Sequence, residues 1–168
     1  MTDLRRPDQP LAPYVGQPDD HQHLAWIHGG RLRVLLDGAT TGRQLTVVDE
    51  RLGRSFATPR HIHRDEDEIF YVLEGSITAW VGDQRHEIAE GGIVFLPRQI
   101  PHAFRVSSET ARVLGITTPS GIERMFREVG WDLKDPLPAG WEPSPARLAE
   151  VATRLGNTIV GPPPGEHD

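Results

Sequence analysis

The chain has no cysteine, so disulfide frameworks and thiolate metal sites are both excluded. It has a single lysine, Lys134, no run of basic residues and a net charge of −6. The Lys/Arg stripe of a nucleic-acid-binding surface is therefore missing, and no nucleic-acid partner is expected. Long apolar runs are missing too. The longest core-like one, Ile93-Val94-Phe95-Leu96, falls far short of the roughly 20 residues a helix needs to cross a bilayer, so no membrane partner is expected. The pair Arg5-Arg6 has no apolar segment behind it and reads as neither a secretory nor a twin-arginine signal; a cytoplasmic protein is the expectation. With no Gly-x-Ser-x-Gly elbow and no Gly-rich phosphate loop, hydrolase and nucleotide-binding readings lack support.

What the chain does have is β-pattern. Its 168 residues suit one domain. Residues 1–23, rich in Pro, Asp and Gln, read as an irregular arm. Short β-runs follow at 24–27, 32–36, 44–51, 59–63, 69–74, 76–81, 84–89, 93–96, 102–106 and 113–117, punctuated by Gly and Asp turns. Gly82-Asp83 between two such runs predicts a tight hairpin, because Gly accepts the positive φ these turns require. Many short strands without intervening helices predict an antiparallel sandwich or small barrel over 24–118. After Pro119 the period changes. Ile122, Met125, Phe126 and Val129 fall on one helical face, with Ser120 as the expected N-cap. A second helix is expected over 146–155, opened by Ser144-Pro145 and closed by Gly156. Residues 119–168 thus form a helical extension packing on the barrel or on a partner subunit, with a frayed tail from Gly161.

Four residues carry the chemistry. His61 and His63 are two apart in a β-run, so both imidazoles point the same way. The stretch 64–67 is too acidic for a sheet interior and reads as a turn. Glu68 then shares a face with Phe70 and Val72, which aims a carboxylate at an apolar interior; that is costly unless a cation meets it. His102 follows a turn containing Pro97 and Pro101, from which a strand can return to the same pocket. Three imidazoles and one carboxylate suit one divalent transition metal (Fe, Ni, Mn, Co, Cu or Zn) rather than Ca or Mg. Each histidine alone reads more readily as a surface or capping residue; the four at this spacing reverse that reading. Asp65, Glu66 and Asp67 are alternative carboxylates if the register slips, although a charged turn is preferred. His21 and His23 belong to a polar lead-in and read as a solvated loop, and His28, His86 and His167 are assigned nothing. Phe70, Val72, Phe95 and Phe104 are expected to line an apolar pocket for a small molecule, with Tyr71 facing away.

These residues carry a family resemblance. HIHRDEDEIFYVLEG resembles the first cupin motif, with His61, His63, Glu68 and Gly75 in place, and GGIVFLPRQIPHAF resembles the second through Gly91, Pro97 and His102. The resemblance implies a double-stranded β-helix (jelly-roll) barrel holding a metal through His61, His63, Glu68 and His102. TTPSGIERMFREVG is similar to the strand-to-helix exit of small cupins grouped with bacterial quercetin dioxygenases. Departures are Ser55, Gln99 and Val106, which stand where the motifs carry Gly, Gly and Asn; all are turn or packing positions. The subgroup implies a dioxygenase acting on a flavonol-like or other enolisable hydroxy-ketone, with dioxygen as co-substrate and Glu68 doubling as the base. A non-oxidative cupin enzyme (isomerase, lyase or cyclase) and a non-catalytic binding module are the alternatives. A homodimer is the family-level expectation.

Overall fold

The computed structural model describes residues 11–165; the first ten residues of the expected arm and His167 lie outside them. Twelve strands and two helices follow one another: β1 (Gln22–Ala25), β2 (Arg31–Leu36), β3 (Thr46–Gly53), β4 (Arg60–His63), β5 (Asp67–Glu74), β6 (Ser76–Val81), β7 (Gln84–Ala89), β8 (Ile93–Leu96), β9 (His102–Val106), β10 (Thr110–Thr118), α1 (Ile122–Val129), β11 (Trp131–Asp132), α2 (Pro145–Arg154) and β12 (Asn157–Gly161). They form a seven-stranded sheet, in the order β11-β1-β2-β3-β10-β5-β8, and a five-stranded sheet, β12-β4-β9-β6-β7. Every pairing is antiparallel.

Two-residue alternation builds the core. On β10, Ala111, Val113, Gly115 and Thr117 turn inward, and on β5 Glu68, Phe70 and Val72 do so. The second sheet answers with Ile77 and Ala79 from β6 and Phe104 and Val106 from β9. The two layers meet where Phe70 packs on Phe104, ring centroids 4.6 Å apart. On the outer face of β3, Asp49 is buried between two guanidiniums, those of Arg33 and Arg112, the latter at 2.9 Å. Val81 pairs with Gln84 across the Gly82-Asp83 turn, and Gly82 has φ +59°.

The lead-in to the barrel is more ordered than the composition suggests. His23 lies on β1, which pairs with β2 on one side and β11 on the other, and its side chain is exposed. The stripe of α1 buries Ile122, Phe126 and Val129 as its spacing predicts. Its N-cap, however, is Gly121 rather than Ser120. A Cβ at Gly121 would fall 2.3 Å from Oε1 of Glu66, so a glycine at this N-cap leaves room for that carboxylate. Helix α2 starts as expected, with Ser144 Oγ accepting from the Arg147 N–H at 3.4 Å, and Gly156 leaves it at φ +93°. The chain then forms β12 against β4. Beyond Gly161, the Pro162 carbonyl accepts from the Arg60 N–H and the Pro164 carbonyl from Arg105, so the tail is tied down through these residues instead of frayed.

Candidate metal centre

The four residues singled out by spacing come from three strands of the two sheets. His61 and His63 lie on β4, His102 on β9 directly opposite His61, and Glu68 on β5 in the facing sheet. One ligand atom from each lies within 4.8 Å of all the others. His63 and His102 are each 1% exposed and Glu68 is 8% exposed, while His61 is half-buried, so the cluster reaches the surface only on the His61 side. The His63 and His102 rings lie nearly parallel, at 6°, with centroids 5.2 Å apart.

The outward nitrogens decide what the inward ones can do. Nδ1 of His61 faces the Pro59 carbonyl at 2.8 Å, Nδ1 of His102 faces the Ile100 carbonyl at 2.8 Å, and Nδ1 of His63 faces Oε2 of Glu66 at 3.2 Å. An acceptor at each Nδ1 places the ring proton there and leaves each Nε2 as a lone pair. Those lone pairs converge. His61 Nε2 and His63 Nε2 are 3.1 Å apart, and Glu68 Oε2 lies 3.5 Å from His102 Nε2 and 3.8 Å from His63 Nε2. His102 Nε2 is buried without a hydrogen-bond partner. Acceptors turned toward one another around a buried carboxylate, one of them unpartnered, fit a divalent ion of N/O preference.

The electrostatics favour neutral His61 and anionic Glu68, and they leave His63 to give up its second proton to a competing cation. Burial, reinforced by His102 and His63, pushes His61 down to about 3, so it is a neutral donor at physiological pH. Burial would raise Glu68, but the His102 ring beside it, with the charge that His63, His102 and His61 carry when protonated, outweighs burial and holds the carboxyl at about 2. Glu68 is thus an anion in any cationic field at this point. Burial would lower His63, yet the Glu66 hydrogen bond and the charges of Glu68 and Glu66 raise it.

Two carboxyl groups around this centre were not assigned from the sequence. Glu66, expected in a charged turn, is 8% exposed and holds the His63 ring. Glu50, on β3, lines the same pocket. Its signal was available, since Thr46, Val48, Glu50 and Leu52 alternate and all turn inward.

The pocket beside the four residues is walled by Phe70 and Phe104, as expected, together with Phe56 and Trp26. Val72 is fully buried and belongs to the core rather than to the wall. Phe95 does not face inward: it is 56% exposed. β8 pairs with β5 so that Leu96 stands opposite Glu68 and Val94 opposite Phe70, which leaves Phe95 beside Ile69 on the outer face. An unbroken apolar run carries no alternation from which to read its register. The roof of the pocket comes from the C-terminal extension, through Ile122, Met125 and Phe126 of α1, Leu148 and Ala152 of α2, and Ile159 of β12.

Residues 51–117 match the family described as the cupin domain. This segment is a cupin domain. Over 119 residues, 70% of its length, the chain is 28% identical to a quercetin 2,3-dioxygenase of Bacillus subtilis (strain 168), covering 35% of that protein. It is 25% identical to a quercetin 2,3-dioxygenase of Aspergillus japonicus over 156 residues, 89% of the chain and 45% of that relative. The chain therefore spans less than half the length of either. Among solved structures, KdgF from Halomonas sp. superposes with a TM-score of 0.60 at 15% identity, covering 67% of this chain and 99% of that one. An RmlC-like cupin from Shewanella frigidimarina gives 0.58 at 15% identity, over 67% and 96% of the two chains. These likenesses show the fold. Among the described residues, no helix is long and apolar enough to cross a membrane.

Proposed function

We propose that this cupin holds one divalent transition metal through His61, His63, Glu68 and His102 and acts as a dioxygenase on a small, apolar, oxygen-bearing molecule of the flavonol or enolisable hydroxy-ketone class. The observation that carries the reading is the convergence of three committed imidazole lone pairs and one buried carboxylate at the floor of an aromatic-walled pocket. The resemblance to quercetin 2,3-dioxygenases supports the substrate class. When bound, the metal supplies Lewis acidity toward a substrate oxygen and, if redox-active, a route to reaction with dioxygen.

The chain's own residues supply the rest. Phe70, Phe104 and Phe56 offer flat apolar contact and exclude water, which strengthens every polar interaction at the floor. Glu68, held at about 2, is a better ligand than base; it accepts the substrate hydroxyl proton only where that hydroxyl is itself strongly acidified. The cavity encloses about 70 Å³, under half of the roughly 150 Å³ that takes up a benzene-sized ligand. A ring-bearing substrate is thus expected either to displace α1 and α2 or to project from the open side of the pocket. A homodimer belongs to the same proposal: β8 is an edge strand carrying exposed Ile93 and Phe95, with Tyr71 of β5 close by.

The experiment is loss of flavonol absorbance by metal-reconstituted protein, run in air and under argon. Loss in air alone, with oxygen consumed in step, is the expected result. Turnover that is equal under argon would replace the dioxygenase with a non-oxidative cupin enzyme, and no turnover with any of Fe, Ni, Mn, Co or Cu would retire flavonols.

A further inference from the structure

Among the described residues that line the pocket, Glu50 is the one titratable group outside the proposed ligand set. It enters from β3, two strands away from Glu68 across β10; the residue of β5 level with it is Val72, four positions along the strand from Glu68. Its neighbours in register are Val113 and Leu32, both buried. An apolar residue would fill this position at no electrostatic cost, so packing does not account for a carboxyl there.

The fold makes room for it. Oε1 of Glu50 lies 2.6 Å from where a Cβ on Gly115 would stand, and the Phe70 ring borders the same spot at 3.4 Å. A glycine on β10 is thus the notch into which the carboxyl leans, beside the aromatic wall. Its side chain forms no hydrogen bond with any described residue; the guanidiniums of Arg33 and Arg112 serve Asp49 on the opposite face of the sheet. A buried carboxyl without a partner costs free energy unless something entering the pocket supplies one.

We propose that Glu50 is a substrate-contacting residue: its carboxyl donates a hydrogen bond to an oxygen of the bound molecule remote from the oxygens that face the metal. The pocket then selects flat molecules with oxygens at both ends over those with oxygens at the metal end alone. Burial, with the like charges of Glu68 and Asp49 adding to it, pushes Glu50 up to about 8 in the metal-free protein, toward the protonated form that can donate. This inference rests on the reading of the pocket as a substrate site.

The test uses the full chain loaded with zinc, which binds without turnover, and compares quercetin with 3-hydroxyflavone, which lacks the remote hydroxyls. The parent is expected to favour quercetin roughly fivefold to tenfold. Glu50→Leu should abolish that preference and Glu50→Gln, whose amide still donates, should keep much of it; both should retain the parent's zinc content. A preference unchanged in Glu50→Leu, or zinc lost from Glu50→Gln, overturns the proposal. If neither flavonol binds the parent, the flavonol reading falls, and Glu50 is decided by infrared difference spectroscopy with tropolone, a compact hydroxy-ketone. The protonated-carboxyl band present in the parent and missing from Glu50→Gln should shift when tropolone binds. A band that stays put, or a parent that binds none of the three probes, overturns the role of Glu50 as well.

Discussion

Removing the Glu66 carboxylate should weaken metal binding without dismantling the barrel. Glu66 accepts from the His63 Nδ1–H at 3.2 Å, and His63 is 1% exposed, so no water can stand in for it. In Glu66→Ala the Nδ1–H is left unpaired, at about 1–3 kcal/mol, or the proton moves to Nε2 and blocks the lone pair that the metal needs. A negative charge is lost as well. One ring's width from the ion, roughly 7 Å, its attraction for a divalent ion is at most about 5 kcal/mol at an effective dielectric of about 20, an upper bound that the carboxylate's own desolvation cuts back. Both routes point to a 10–100-fold loss of affinity, about 1.4–2.7 kcal/mol, in line with what partners of metal-bound imidazoles usually contribute. Glu66→Gln separates the two, because its amide oxygen still accepts from Nδ1–H while the charge is gone; an intermediate loss is expected. Affinity for Zn(II) would be measured by competition with a chromophoric chelator at fixed pH, alongside a thermal melt. A folded Glu66→Ala protein whose zinc affinity lies within about twofold of the parent's would refute the reasoning.

Five other outcomes are expected. His63→Ala should lose most of the metal, measured by elemental analysis, whereas Glu68→Gln should lose turnover more steeply than metal if Glu68 also moves the substrate proton. Gly121→Ala sets a Cβ 2.3 Å from Oε1 of Glu66; the terminal oxygen can swing away, so the melting temperature should barely move while zinc affinity drops. Glu50, raised to about 8 against an ordinary 4.5, binds its proton more tightly folded than unfolded, so the stability it lends is full below about 4.5 and is lost as pH rises through about 8. Glu50→Gln should therefore gain stability on the parent from pH 5 to pH 8, by at most roughly 4 kcal/mol, read as a rising difference in melting temperature; a pH-independent difference would sink this account. Asp49→Asn should destabilise by about 2–3 kcal/mol in denaturant melts, less than for a fully buried pair because Arg33 and Arg112 can turn to water.

The sequence carried much of this. Strands β6, β7, β8 and β9 begin and end where the Gly, Asp and Pro turns between them place them. The four clustered residues were legible from strand alternation, together with the cost of an inward carboxylate. What could not be read had no local signal. Phe95 sits in a run apolar on both faces, so only the pairing with β5 assigns its direction. Glu66 looks like one more turn acid until the chain brings Gly121 against it. β12 offers four residues, Asn157 to Val160, of weak pattern and becomes a strand because β4 has an edge to fill.

That last pairing bears on when the centre can be finished as the chain is made. β4, bearing His61 and His63, meets β9 through a single residue pair, His61 with His102. Most of its ladder is supplied by β12, which pairs with His63, Ile62, His61 and Arg60. During synthesis all four proposed ligands emerge well before the segment that fixes the line of β4. A nascent chain reaching only to residue 118 would hold every ligand of the family motif with the strand under two of them still unpaired on one side. Metal capture is thus expected as a late event, gated by translation through Gly161, and the motif alone is a smaller unit than the one that binds.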